Sequence, residues 1–364
     1  MKPTVFLTGA TGFLGMEVLA RLLEEGDREV LTLIRASDEA AAEQRLDDVL
    51  KTLWDNPAPY RDRVTAVRGD VTAPGLGLGD RRDEWASRTG AVLHCAASIS
   101  FDMPLAEARA INVDGTARVL DFAVDAQARD GLERFLHVST AYVSGRYEGT
   151  FRERQLDAGQ SFRNTYEETK ADAEQIVTLA RELGPAIARP SIVVGESDSG
   201  WTPAFNVLYW PMRAFSRGMF KEVPALADGH VDIVPIDYVA DGLVHLLGRR
   251  EAGVFNLVSG RNAPSVSEVV NLASDWFDKP HPKLIEPVGP DHVGDDQGDV
   301  FVPYFDMQVV FDDARARSVL GPAGIEAPIL RDYFGKLMEY AEAARWGKKG
   351  ISREAARARV AAPA

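Results

Sequence analysis

The stretch that decides the fold is Val5-Phe6-Leu7-Thr8-Gly9-Ala10-Thr11-Gly12-Phe13-Leu14-Gly15. It starts as a short apolar run, typical of a buried strand, and leads into an amphipathic stretch over 14–25 that predicts a helix. The glycines between them let the backbone at a helix N-terminus approach a pyrophosphate closely. Turns before helices collect glycine in any case, so it is the position after an N-terminal strand that makes this a predicted dinucleotide site.

The same alternation of strand and helix continues along the chain. Apolar runs without strict alternation indicate strands buried on both faces, at 5–7, 30–34, 64–67, 91–94, 135–138 and 186–188. Amphipathic stretches between them predict helices at 14–25, 38–54, 105–127 and 165–183. We therefore predict an α/β fold with a doubly wound parallel sheet.

The pattern changes after Pro190, where 201–220 is rich in aromatic residues and is interrupted by two prolines. Further on, 254–258 indicates one more central strand, and 237–247 a helix that returns to the main sheet. We predict a main domain formed by 1–195 plus 231–262, and a smaller, discontinuous substrate domain formed by 196–230 plus 263–346. Basic residues among alanines predict a frayed helix or loose tail over 347–364.

Composition limits the function classes. The chain has 364 residues, 45% hydrophobic and 26% charged, which excludes a disordered or low-complexity protein. Its net charge of −14 is the wrong sign for a protein whose main partner is nucleic acid. The single Cys95, the lack of signal-peptide features and the lack of an apolar stretch of about 18 residues predict a cytoplasmic protein without a membrane segment. The six histidines lack ligand spacing, so we predict no metal site.

Two residues bear on the choice of dinucleotide. Arg35 follows the second predicted strand, where an NAD enzyme places an acidic residue for the ribose 2′-hydroxyl, and a guanidinium there favours the 2′-phosphate of NADPH. The alternative is that Arg35 only ends a strand at the surface. Asp70, after the third strand, could face the adenine amino group or could be a turn residue.

A second group of residues predicts hydride chemistry. Tyr166 and Lys170 are four apart, on one face of a predicted helix, and Thr140 ends the strand before it. When hydride adds to a carbonyl, the oxygen becomes negative and needs a hydroxyl acid, which is the role we predict for Tyr166, with Thr140 donating to the same oxygen. Lys170 would lower the pKa of the phenol and hold the nicotinamide ribose. Asn112, predicted in mid-helix, is either a further catalytic residue or a packing amide.

Taken together, these motifs resemble the extended short-chain dehydrogenases/reductases, and within them the fatty acyl-CoA reductases and the terminal thioester reductases of carboxylic acid reductases and nonribosomal peptide synthetases. The resemblance spans residue 4 to about 247 and rests on 6–15, 33–36, 94–97, 101–105, 112–116, 137–143, Tyr166 with Lys170, 189–195 and 232–237. It implies a Rossmann fold and NADPH as cofactor. The cofactor contacts it implies are Thr8, Gly9, Thr11, Gly12, Phe13, Leu14, Gly15, Arg35, Asp70, Val71, Ala96, Ala97, Lys170, Pro190, Ile192 and Val193.

The resemblance also implies a reaction: an acyl thioester of CoA or of a carrier protein is reduced to an aldehyde, or onward to an alcohol. The long connection between Arg35 and Gly69 favours this branch over sugar-nucleotide epimerases, which share the glycine turn and the Tyr-Lys pair. An epimerase, a dehydratase, a hydroxysteroid-type dehydrogenase or a non-catalytic NADP-binding relative are the alternatives.

The region after Gly195 predicts less. Its aromatic run over 201–220 either lines an acyl pocket or forms the core of the smaller domain. Arg213 and Arg217 share a helix face with Lys221 close behind, which predicts either a site for the phosphates of CoA or phosphopantetheine, or an ordinary solvated face.

Overall fold

The strands and helices follow the predicted alternation. The computed structural model describes residues 4–129, 131–205, 207–286, 304 and 307–361. Its strands are β1 (Thr4–Thr8), β2 (Val30–Ile34), β3 (Val64–Arg68), β4 (Thr89–His94), β5 (Arg134–Val138), β6 (Gly149–Phe151), β7 (Ala186–Pro190), β8 (Ile192–Val194), β9 (Glu222–Pro224), β10 (Ile233–Pro235), β11 (Gly253–Leu257), β12 (Lys283–Ile285) and β13 (Val309–Phe311). Its α-helices are α1 (Phe13–Glu24), α2 (Glu39–Leu53), α3 (Ala58–Arg61), α4 (Arg82–Arg88), α5 (Leu105–Asn112), α6 (Asp114–Arg129), α7 (Thr165–Leu179), α8 (Tyr209–Ser216), α9 (Ile236–Leu247), α10 (Val266–Phe277), α11 (Ala314–Leu320), α12 (Leu330–Ala343) and α13 (Arg353–Ala361).

The main sheet has seven strands in the order β3-β2-β1-β4-β5-β7-β11, and every pairing in it is parallel. The predicted doubly wound sheet is confirmed, including the strand at 254–258. The strand order reverses between β1 and β4, because the chain first moves outward through β2 and β3 and then returns to the other side of β1. In open α/β sheets ligands bind at such a reversal, beyond the carboxyl ends of the strands.

Helices cover both faces of this sheet, as the alternating side chains of β1 demonstrate. Val5 and Leu7 belong to the same buried cluster as α1, α2 and α9, whereas Phe6 packs in a second cluster against α4 and α6. The Phe6 and Phe122 ring centroids are 4.3 Å apart. A fully buried side chain of this size contributes about 1.5–3 kcal/mol, so a strand buried on both faces is held firmly in register.

A third cluster lies beside the carboxyl edge of the sheet. It joins α8, α10 and α12 to β8 and β10, and it contains much of the aromatic run, including Tyr209, Met212 and Phe215. Trp201, also fully buried, packs in the first cluster. Most of the aromatic run over 201–220 therefore packs in the core, which agrees with the interpretation as core and not as the lining of an acyl pocket. Trp210 and Met219 stay exposed. The division into a main and a substrate domain remains a prediction.

Two predicted features need correction. The helix predicted over 105–127 is broken at Val113, so Asn112 ends α5 and does not lie in mid-helix. Up to residue 361, the C-terminal segment is not a loose tail, because α13 packs against α1. Arg353 of α13 is 1% exposed and lies 2.7 Å from a carboxylate oxygen of Glu17. The sequence pattern missed this because the partner carboxylate lies near the other end of the chain.

Within the described residues, no helix combines the length and the apolarity needed to cross a lipid bilayer.

Candidate active site

The glycine turn between β1 and α1 has the geometry that close approach of a phosphate requires. Gly9 has a φ of +81°, and a Cβ there would lie 2.8 Å from the amide nitrogen of Ala96. A Cβ on Gly15 would lie 2.1 Å from the carbonyl oxygen of Gly9, so both positions need glycine. Gly12 is the N-cap of α1 and supplies no side-chain cap, which leaves the N–H groups of the first turn open to an anion. These residues fit the pyrophosphate of a dinucleotide.

The Thr8 side chain lies below the glycine turn. It is fully buried; its Oγ1 is 2.7 Å from Nδ1 of His94 and accepts a hydrogen bond of 3.1 Å from the Ala96 N–H. The hydroxyl therefore ties β1 to the chain leaving β4, and a contact of Thr8 with the cofactor stays a prediction.

Arg35 lies exposed at the end of β2, where the prediction places it. The guanidinium of Arg45, on α2, donates a hydrogen bond to the backbone carbonyl oxygen of Arg35, so a second guanidinium lies beside the end of β2. The sequence analysis missed Arg45; the signal was its position two turns into the helix that starts just after Arg35. Asp70 forms a turn, because one of its oxygens accepts hydrogen bonds of 2.8 Å from both the N–H and the hydroxyl of Thr72.

The other implied cofactor residues follow the carboxyl ends of their strands. Val71 lies beyond β3 and packs against Gly115, and Ala96 and Ala97 follow β4 and are partly exposed. Pro190 ends β7 and is buried; of the two implied residues in β8, Ile192 is buried and Val193 is partly exposed. The remaining members, Thr11, Phe13 and Leu14, are partly exposed around the start of α1.

Thr140, Tyr166 and Lys170 come together at the end of β5. Asn164 caps α7 by accepting from the Glu167 N–H at 3.0 Å, which fixes Tyr166 in the first turn. Lys170 is buried one turn later and donates from Nζ to the carbonyl oxygen of Val138 at 2.7 Å. Thr140 follows that strand, and its hydroxyl is hydrogen-bonded to the phenol of Tyr166.

Burial decides the protonation of these groups. It raises the pKa of Tyr166 to about 12, with the hydrogen bond from Thr140 acting in the opposite direction. The expected depression of this pKa by Lys170 is therefore not present in this structure. Burial also lowers the pKa of Lys170 to about 8, against the opposing charge of Glu174. At neutral pH the phenol keeps its proton, which is the state that an acid needs before the reaction.

Asn112 is buried and its amide is fully engaged. Its Oδ1 accepts from the Ser98 N–H at 2.8 Å, and its Nδ2 donates to the Ser98 carbonyl at 3.1 Å and to the Thr169 hydroxyl at 2.9 Å. The Thr169 hydroxyl in turn lies 3.2 Å from the carbonyl oxygen of Tyr166. These contacts support the second interpretation, a packing amide that positions α7, and a catalytic role for Asn112 stays a prediction.

A buried ion pair also holds α7, and the sequence analysis did not find it. Glu174 pairs with the fully buried Arg189 of β7 and accepts from the Ser139 hydroxyl at 2.8 Å. The available signal was spacing, since Glu174 is four residues after Lys170 and shares its helix face. Breaking one side of such a pair costs about 3–5 kcal/mol, so the helix that carries the acid is strongly fixed.

The candidates for carboxylate and metal chemistry have structural roles. Asp232 accepts hydrogen bonds from the Ser191 hydroxyl and from the amides of Ser259 and Gly260, and Asp237 accepts from Ser197. Among the residues that the structure describes, no group of three or more His, Cys, Asp or Glu side chains is placed to hold a metal ion. His292 lies outside the described residues.

Known proteins resemble this chain over about two thirds of its length. Residues 7–243 match the family model described as Male sterility protein. The chain is 32% identical over 248 residues to a linear gramicidin synthase of Brevibacillus parabrevis, covering 66% of this chain and 5% of that protein. It is 30% identical over 274 residues to fatty acyl-CoA reductase 1 of Mus musculus, covering 65% of this chain and 53% of that one. The chain thus spans about half or less of the length of these relatives.

Solved structures agree with the fold. The terminal R domain of the myxalamid PKS-NRPS pathway superposes with a TM-score of 0.80 at 24% identity, covering 96% of this chain and 92% of that one. UDP-glucuronic acid 4-epimerase from Bacillus cereus superposes with a TM-score of 0.68 at 18% identity, covering 94% and 98%. The family match confirms the predicted class of cofactor, a nicotinamide dinucleotide. The chain belongs to the Male sterility protein family and has the fold of the extended short-chain dehydrogenases/reductases.

Proposed function

We propose that this protein is an NADPH-dependent oxidoreductase that reduces acyl thioesters of CoA or of a carrier protein to aldehydes, and in a second round to alcohols. The observation that carries the proposal is the grouping of Thr140, Tyr166 and Lys170 at the end of β5. The relatives whose names include fatty acyl-CoA reductase support the thioester as substrate class. A cytoplasmic location stays a prediction from the sequence.

The preference for NADPH rests on charge at the end of β2. Arg35 is exposed there, and Arg45 lies beside it. Two guanidinium groups suit the dianionic 2′-phosphate, because each can donate two parallel hydrogen bonds to its oxygens. The residue directly after β2 is Arg35. It is not an aspartate or glutamate, whose carboxylate would accept a hydrogen bond from a free 2′-hydroxyl.

The residues around Tyr166 perform the acid chemistry. The bound cofactor supplies the hydride that the thioester carbonyl carbon receives. Tyr166 gives its proton to the carbonyl oxygen as negative charge develops there, and Thr140 donates a hydrogen bond to the same oxygen. Lys170, whose Nζ donates to the carbonyl oxygen of Val138, would donate to the nicotinamide ribose. The resulting hemithioacetal then breaks its C–S bond, which releases the aldehyde and a thiol.

The phosphates of the substrate need cations outside the reacting centre. Arg217, Lys221 and Lys283 are exposed, and Lys283 lies next to Lys221, to whose carbonyl oxygen its N–H donates at 2.9 Å. The side chain of Lys279 lies near Gly218, the residue after Arg217. On a chain with a net charge of −14, this local basic surface is where we place the phosphates of CoA or phosphopantetheine. Replacing Arg217 and Lys221 with Glu should raise KM for the thioester and leave kcat nearly unchanged.

The experiment that tests the function measures oxidation of NADPH together with release of free thiol from a panel of acyl thioesters. Tyr166→Phe should abolish both signals and still bind NADPH, because it removes only the acidic proton. Tyr147→Phe is the matched control, since this tyrosine packs against Phe151, away from the catalytic group. NADPH binding without any thioester reduction would contradict the proposal, and conversion of a sugar nucleotide with retained cofactor would establish an epimerase.

A further inference from the structure

We propose that Phe101, held in place by Tyr304, determines which acyl groups this protein reduces, and that it favours acyl chains unbranched next to the carbonyl. The proposal rests on the proposed function. The ring of Phe101 is partly exposed, and its centroid is 5.7 Å from that of Tyr166. A partly exposed apolar ring this close to the acid lies where the first carbons of a substrate must pass.

Phe101 is backed by a buried aromatic ring. The ring of Tyr304 is 3% exposed and stacks on Phe101 with a centroid distance of 5.3 Å and an interplanar angle of 30°. On another side, Tyr142 meets Tyr304 edge-on, with centroids 5.0 Å apart. Stacked and edge-on pairs of this kind stabilise a ring beyond the apolar area they bury, so Phe101 has a well-defined position.

Tyr304 is itself anchored to the turn that carries the acid. Its hydroxyl donates to a carboxylate oxygen of Glu167 at 2.9 Å and accepts from the side-chain amide of Asn164 at 2.8 Å. Glu167 is fully buried and directly follows Tyr166. The hydroxyl of Tyr304 is therefore tied to both ends of the first turn of α7.

The backbone around Phe101 is tied to the same turn. The hydroxyl of Thr165 contacts the carbonyl oxygens of Phe101, at 3.5 Å, and of Met103, at 2.9 Å. Thr165 directly precedes Tyr166. The ring of Phe101, through Tyr304, and its backbone are thus both held by residues next to Tyr166, so the position of the Phe101 ring relative to the phenol is fixed.

The fixed position of Phe101 beside the phenol has a consequence for the substrate. A thioester carbonyl that accepts from the Tyr166 phenol must lie within about 3 Å of it. The first carbons of the acyl group then pass beside the ring of Phe101, where a straight chain gains apolar contact and a branch or an aryl ring meets the phenyl group. Differences of one or two carbons in such a pocket are worth about 1–3 kcal/mol, or tenfold to two-hundredfold in kcat/KM.

The test compares kcat/KM for hexanoyl-CoA with kcat/KM for benzoyl-CoA and 2-methylbutanoyl-CoA. Phe101→Ala should raise the ratio of bulky to straight substrate about tenfold or more, because it opens the space beside the carbonyl. Tyr304→Phe keeps the ring and loses both hydrogen bonds, so it should move the ratio in the same direction by a smaller factor. Phe277→Ala is the matched control: it removes a partly buried phenyl group that pairs with Trp346 and should leave the ratio unchanged.

The outcomes separate the two proposals. If the wild-type protein binds NADPH and reduces none of the thioesters, the proposed function fails and this assignment fails with it. If the wild type reduces thioesters and the ratio is the same in Phe101→Ala and in Tyr304→Phe, both with unchanged NADPH affinity, the assignment alone is overturned. If Phe101→Ala fails to fold, Phe101→Leu, which keeps most of the apolar volume, decides the matter: its ratio should exceed that of the wild type, and an unchanged ratio overturns the assignment.

Discussion

Replacing Arg353 by methionine should destabilise the whole protein, although the residue belongs to the last helix of the described chain. Arg353 is 1% exposed, and its guanidinium reaches Glu17 at 2.7 Å and Glu24 at 2.6 Å, both on α1. Methionine has a similar length and no charge. The substitution therefore leaves the fully buried Glu17 without its main partner while the space stays filled.

The size of the loss in stability depends on the charge of Glu17, which stays buried in the variant. Removing one partner of a buried ion pair costs about 3–5 kcal/mol, because the other charge is left uncompensated. Arg21, 3.2 Å from Glu17, and Arg357, 3.6 Å from it, stay in place and offset part of this loss, so we expect about 3 kcal/mol. At about 2 cal/mol/K of unfolding entropy per residue, that lowers the Tm by roughly 4 °C for a chain that unfolds as one unit.

The effect should also depend on pH in a defined direction. Burial raises the pKa of Glu17 to about 7, against the lowering effect of Arg353. Without Arg353 the pKa rises further, so above pH 7 the variant must hold a proton that the wild type has released. The folded variant then binds more protons than the folded wild type, and its relative stability falls as pH rises. The loss in Tm should be larger at pH 8.5 than at pH 6.

The assay is thermal unfolding of the wild type and the variants at both pH values. Arg359→Met is the matched control, because Arg359 is exposed on the same helix and should shift the Tm by less than 1 °C, as about 0.5 kcal/mol would. Adding Glu17→Gln to Arg353→Met should recover part of the loss, since it removes the orphaned charge. A Tm for Arg353→Met equal to that of the control, or a loss independent of pH, would refute the reasoning.

Three further changes test the site. Arg35→Glu should weaken NADPH binding at least tenfold and affect NADH far less, since it removes one cation and adds a repelling charge; equal losses for both, measured by fluorescence titration, would contradict a 2′-phosphate site. The rate of thioester reduction should fall as pH rises through about 8, because Lys170 loses its charge there, whereas Tyr166, with a pKa of about 12, stays protonated. A rate that does not change from pH 7 to 9.5 would contradict the role of a charged Lys170. Gly15→Ala should abolish cofactor binding or folding, because its Cβ would lie 2.1 Å from the Gly9 carbonyl oxygen; a variant with normal Tm and normal binding would rule out the close approach.

The sequence predicted the features that depend on local pattern. The strands of the main sheet are short apolar runs, and their burial on both faces follows from the helices between them, so the sheet and the place of the glycine turn could be predicted. The pairing of Tyr166 with Lys170 could be predicted for the same reason, since residues four apart share a helix face. Thr140 could be added because it follows the preceding strand by two residues.

The features that the sequence analysis missed depend on contacts between distant residues. Arg353 looks like an exposed residue in an alanine-rich tail until α1 places two carboxylates against it. The contact of the Thr8 hydroxyl with His94 forms only because β4 places that histidine beside it. Tyr304 carries no local motif at all, and only its hydrogen bond to Glu167 reveals its place. A polar side chain has a role that its partner defines, and the partner is not visible in the local pattern.

Contacts between distant residues also explain why the predicted acid, Tyr166, is held so firmly. Hydride chemistry needs a hydroxyl group that is already oriented before charge develops, because reorientation during the reaction would raise the barrier. Tyr166 receives this orientation from its helix, and successive turns of α7 are anchored to different elements. The anchors are Tyr304 at Glu167, Asn112 at Thr169, Val138 at Lys170, and Arg189 with Ser139 at Glu174.

Because these anchors are buried, they contribute to stability as well as to the position of the phenol. A variant that loosens one of them should therefore lower the rate and the Tm together, whereas Tyr166→Phe should lower the rate alone. Asn112→Ala is the sharpest case, since its amide contacts only Ser98 and Thr169 among the bonds the structure gives it. A large loss of rate without a change in Tm would make Asn112 a catalytic residue after all, and a parallel loss of both would establish that it acts through α7.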